Sequence, residues 1–101
     1  MDGQASISTD ILARYAADAA GEVAGVQGLS ESSIPGRRGG VRVTGDDAGV
    51  RVELHLVVDW GASVPAVGRD VQERVREYLL RMADVEPTSV DVVVEEIGPR
   101  Q

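Results

Sequence analysis

The sequence predicts an α+β fold: a single layer of three- or four-stranded mixed sheet with two helices packed on one face, in the order α-β-β-β-α-β. Three observations carry this. Residues 50–83 switch from a period of two to a period of three to four across the turn Gly61-Ala62-Ser63, which fixes a strand, a turn and a helix in order. Residues 7–23 carry a second stripe at helical spacing. Two further runs, 41–44 and 88–97, alternate apolar and polar residues as half-buried strands do.

Taken in order, residues 7–23 place Ile7, Ile11, Leu12, Tyr15, Ala16, Ala19 and Val23 on one stripe over an Ala-rich background. Ser8 is positioned to cap this helix, with Ile7 and Leu12 at the spacing of a hydrophobic staple. Gly21 and Gly25 loosen its far end, and Val26 to Leu29 reads as a short strand. Residues 30–40, SESSIPGRRGG, are rich in Ser, Gly and Pro and read as a mobile surface loop. Its Arg37-Arg38 pair lacks the GxxxxGK[ST] run that a phosphate-binding loop requires.

Residues 41–44 and 50–60 flank a glycine-bounded turn and read as a β-hairpin. In its long strand Val50, Val52, Leu54, Leu56, Val58 and Trp60 share one face, while Arg51, Glu53, His55, Val57 and Asp59 share the other. Opposed residues of an antiparallel pair point to the same side, so Val43 faces either Val50 or Val52. Facing Val50 would set Arg42 against Arg51; facing Val52 sets it against Glu53, and charge therefore selects the Val43/Val52 register. The parity of Trp60 places it over the core.

The second helix, residues 64–83, carries Val64, Val67, Val71, Val75, Tyr78, Leu79 and Met82 on one stripe. Ser63 is its cap, and Pro65 is tolerated in a first turn whose N–H groups have no intrahelical acceptor. Arg69/Glu73, Asp70/Arg74 and Glu77/Arg81 stand at the i,i+4 spacing of surface ion pairs. The last strand, 88–97, turns Val90, Val92 and Val94 inward. The connection from Trp60 through the helix to Val90 is long enough for a crossover, so these strands are parallel, as neighbours or with one strand between.

Composition narrows the function classes. At 101 residues the chain reads as one domain, 1–101, able to bury about two-thirds of its unfolded surface. There is no cysteine, which excludes disulfides, thiolate zinc sites and cysteine nucleophiles. Nothing approaches a membrane span or a signal peptide, so a cytoplasmic protein without direct membrane insertion is expected. Ten Arg, no Lys and seventeen acidic residues leave a net charge of −7, which opposes binding to phosphate backbones. A small α/β nucleic-acid-binding module remains the alternative on topology alone. It would want basic and aromatic residues on the open sheet face, where Arg42, Arg51 and His55 are diluted by Glu53, Asp59, Asp91 and Glu95.

No catalytic, cofactor-binding or metal-ligating constellation is visible, and a non-enzymatic protein is expected. His55, the only imidazole, reads as an exposed side chain, with Glu53 about 7 Å along the strand and too far to orient it. Asp46-Asp47 lacks the spacing of a calcium loop and reads as turn chemistry. Glu95 and Glu96 alternate to opposite faces. What remains is a surface: Val57 and Val93 on the otherwise polar sheet face, with Arg51, Glu53 and His55 around them, predict a partner surface suited to self-association.

With these elements placed, the chain resembles the bacterial alkaline shock protein family, also described as envelope stress response proteins. The marks are the opening helix running into Gly25-Val26-Gln27-Gly28-Leu29, then the hairpin, then Val57-Val58-Asp59-Trp60-Gly61 leading to Val64-Pro65 and Val71-Gln72, and the closing Val90-Asp91-Val92-Val93-Val94. Together they cover nearly the whole chain. Family members often carry charged tails beyond this point, whereas this chain stops at Gln101. The resemblance implies a non-enzymatic cytoplasmic protein linked to envelope stress and alkaline tolerance, assembling with itself and sitting near the membrane through a membrane-protein partner. It implies no catalytic or cofactor residues. An acidic chain without a span or a basic amphipathic helix would need such a partner to stay at a membrane.

Overall fold

A computed structural model describes residues 8–30 and 40–99. The order is α1 (Thr9–Gly21), β1 (Val26–Leu29), β2 (Val41–Asp46), β3 (Gly49–Asp59), α2 (Val64–Ala83) and β4 (Ser89–Gly98). The α+β order predicted from sequence holds throughout. The staple at Ile7 and most of the loop 30–40 lie outside the described residues.

Both helices begin where capping chemistry places them. The Ser8 hydroxyl accepts from Ile11 N–H at 3.2 Å, and Ser63 accepts from Ala66 N–H at 3.4 Å. α2 ends at Asp84, which adopts the left-handed conformation (φ 55°) and donates its N–H to Leu80 O. Leu12, Ala16, Ala19 and Ala20 of α1 meet Val67, Val71, Val75 and Leu79 of α2 over Val52, Leu54, Leu56 and Val58 of β3. Each fully buried Leu or Val contributes roughly 1.5–3 kcal/mol of transfer free energy. Tyr15 and Tyr78 close the helix pair edge to face at 5.8 Å.

β3 is the spine of a mixed sheet. β2 pairs with it antiparallel in the expected register, Val43 against Val52 and Arg42 against Glu53. β1 pairs with the other half of the same edge, Val26 against Val58 and Leu29 against Leu56. β4 lies parallel along the opposite edge, from Arg51/Ser89 to Asp59/Gly98, so the crossover joins direct neighbours. The ladder slips once: Leu56 faces Val94 but Val57 faces Glu96, leaving Glu95 as an extra residue in β4.

Several side chains depart from their expected places. Trp60 is 72% exposed, because the strand ends at Asp59 and Gly61 (φ 89°) turns the chain before the strand parity reaches the indole. Met82 is 47% exposed in the last turn of α2, where Leu79 and Ala83 carry the packing against the core. The extra residue at Glu95 breaks the alternation, so Glu95 reaches His55 on the outer face and Glu96 pairs with Val57 of that same face. Arg74 bonds Glu22 at the end of α1, at 2.8 Å, instead of Asp70 on its own helix.

Candidate functional site: the open sheet face

Because both helices pack on the Val52–Val58 side, β3 and β4 turn their other side outward. Among the described residues no element covers it. Arg51, Glu53, His55, Val57 and Asp59 line it along β3, and Asp91, Val93, Glu95 and Glu96 along β4.

At its centre His55 is 5% exposed, which corrects the expectation of a wet surface histidine. Its backbone marks the seam where β1 hands the edge of β3 to β2: His55 N–H donates to Gly40 O at 2.7 Å, and Ser30 N–H donates to His55 O at 2.8 Å. Gly40 has φ 78°, and a Cβ there would sit 2.6 Å from Ser30 O and 2.9 Å from His55 O. Only glycine closes this seam without displacing backbone.

The His55 ring is held on both sides. Nδ1 lies 2.6 Å from Glu95 Oε2, and Nε2 lies 2.5 Å from Glu53 Oε2. Glu95 also accepts from the Ser30 hydroxyl at 2.8 Å through its other oxygen. The two-residue separation of Glu53 and His55 is therefore spanned by the lean of two long side chains, and the expectation that Glu53 is out of reach fails. An ionised carboxylate only accepts, and a neutral imidazole donates from one nitrogen alone. The cluster ties the segment just after β1 to β3 and β4 across the face. The carboxylates occupy both ring nitrogens, and the Ser30 hydroxyl bonds Glu95.

The structure places the five sequence-predicted surface residues on one face but arranges them unevenly. Arg51 is exposed beside the start of β4, opposite Ser89. Val93 stands opposite His55 and is 40% exposed; Val57 is half-buried opposite Glu96. Because Val93 faces His55 and not Val57, the two valines stand on a diagonal across the two strands beside His55. Sequence reasoning missed Glu95 and Ser30. The available signal was a Glu on the outer parity of the last strand, but its partner depends on a register that spans forty residues.

Residues 1–99 match the profile of the alkaline shock protein 23 family, described as having a cell envelope-related function. The chain belongs to this family. Among its relatives, an uncharacterized protein of Bacillus subtilis, YqhY, is 30% identical over 99 residues, covering 89% of this chain and 73% of its own. An uncharacterized protein of Streptococcus pyogenes, Spy1614, is 29% identical over 107 residues, covering 95% and 88%. Solved structures with the same architecture include the MamM CTD over its residues 215–293, with TM-score 0.58 and 17% identity over 88% of this chain and 99% of that one. The manganese form of a MamM CTD variant superimposes with TM-score 0.57 and 16% identity, covering 88% and 99%. At that identity the likeness is one of fold. Among the described residues, this alkaline shock family member has no helix long and apolar enough to cross a membrane.

Proposed function

We propose that this chain is a non-enzymatic, cytoplasmic interaction protein of the envelope stress response, which self-associates through its open sheet face and reaches the membrane by way of a membrane-protein partner. The family's cell envelope-related function supports the setting. The observation that carries the mode of action is Val93, exposed next to the locked His55 on a sheet face that no described element covers. A rigid centre suits a recognition surface, since side chains already fixed lose little entropy on binding. The acidic residues along β4, Asp91, Glu95 and Glu96, disfavour a nucleic acid there.

Val93→Arg tests it by placing a solvated cation in the middle of the contact. Light scattering coupled to size exclusion should show wild type above the 10.7 kDa monomer mass and Val93→Arg as a monomer. Wild type that stays monomeric at tens of micromolar overturns self-association. Retrieval of the same membrane protein by wild type and Val93→Arg would place the membrane partner elsewhere on the molecule.

A further inference from the structure

At the end of the sheet where β3 stops and α2 begins, a groove of about 400 Å³ opens beside the exposed indole of Trp60. Its floor is built from small residues, Gly25, Gly61, Ala62 and Ala66, so a chain lying in it approaches the backbone closely. Gly25 is required here on two counts: φ is 96°, and a Cβ would stand 2.8 Å from Val67 Cγ2. Asp59 and Asp70 share the lining.

The sign of the occupant follows from what the groove offers. The start of α2 would ordinarily attract an anion through its free N–H groups. Here Pro65 has none, Ala66 N–H is taken by the Ser63 hydroxyl, and Val67 N–H by Ser63 O at 2.9 Å. Three of the first four helical positions are thus closed to an anion, while two carboxylates and an aromatic face remain, in a chain of net charge −7. A flat indole with nearby carboxylates is the arrangement that receives a guanidinium or ammonium group.

We propose that this groove docks a cationic segment of a partner protein, with an arginine or lysine side chain stacked on Trp60 and Asp59 and Asp70 as its counter-ions. The site lies at the end of the strands and shares only Asp59 with the sheet face. Trp60 is the only tryptophan of the chain, so its emission reports the site directly.

The probe is a capped pentapeptide, Gly-Arg-Leu-Arg-Gly, titrated into the full chain, with a peptide carrying citrulline at both Arg positions as the neutral control of the same shape. A saturable change in emission with the Arg peptide is expected. Affinity should fall roughly three-fold in Asp70→Asn and about ten-fold in Asp59→Asn/Asp70→Asn, and should weaken with salt, as rim charges do. Asp70→Asn is the safer variant for folding, because Asp70 is an exposed helical side chain, and circular dichroism checks both. Amide shifts of Gly61 and Ala62 provide a second readout, and they remain available in Trp60→Leu. Equal binding of the citrulline peptide overturns the charge assignment. An emission change on concentrating the protein alone, unaffected by peptide, replaces the partner with a second copy. No saturable change at millimolar peptide removes the site.

Discussion

On its inner face β3 presents Val52, Leu54, Leu56 and Val58 to both helices, each 1% exposed or less. On its outer face the same strand presents Arg51, Glu53, His55, Val57 and Asp59, of which His55 alone is buried. Both Leu56 and His55 are inaccessible, but what holds them differs. Leu56 is held by non-directional contact with many neighbours, so the cost of removing it scales with the cavity left. His55 is held by directed contacts to Glu53 and Glu95, so the cost of removing it is set by the loss of those polar contacts. Low exposure by itself therefore does not mark a core; the chemistry of the neighbours does.

Substitutions on the two faces should separate these mechanisms. Leu56→Ala is expected to cost the most, about 2–5 kcal/mol in urea unfolding, with the slope of the transition unchanged. A loss below 1 kcal/mol would mean that the inner face repacks freely. His55→Ala should cost about 1–3 kcal/mol. Its distinguishing mark is coupling: a double-mutant cycle with Glu95→Gln should return an interaction of at least about 0.5 kcal/mol, whereas Leu56→Ala with Glu95→Gln should be additive. Additivity of the His55 and Glu95 changes would dissolve the contrast between the faces. Val93→Ala, on the outer face, should change stability by less than about 0.5 kcal/mol while weakening self-association. A larger loss of stability would make Val93 a packing residue instead of a contact.

The parts of the fold legible in the sequence rest on local rules. Ser63 and Pro65 mark the start of α2 because the cap and the missing N–H act within one turn. The hairpin register follows from Arg42 facing Glu53, since only a short turn separates the two strands. The illegible parts are those that a distant strand decides. Glu95 reaches His55 because β4 lies parallel to β3 and carries one extra residue, and neither fact has a local signature. Strand parity points Trp60 inward, and that parity ceases to apply once the strand ends at Asp59.

By itself, then, the sequence determined the elements, their order, the inward faces and the absence of cysteine chemistry, because alternation, helical spacing and capping are properties of neighbours along the chain. Tertiary structure alone decided that the outer face has a charged, locked centre and that the indole stands exposed over an acidic groove. Both depend on where β4 and the end of β3 come to rest in space, and that is set by the packing of two helices on one sheet, not by any run of residues.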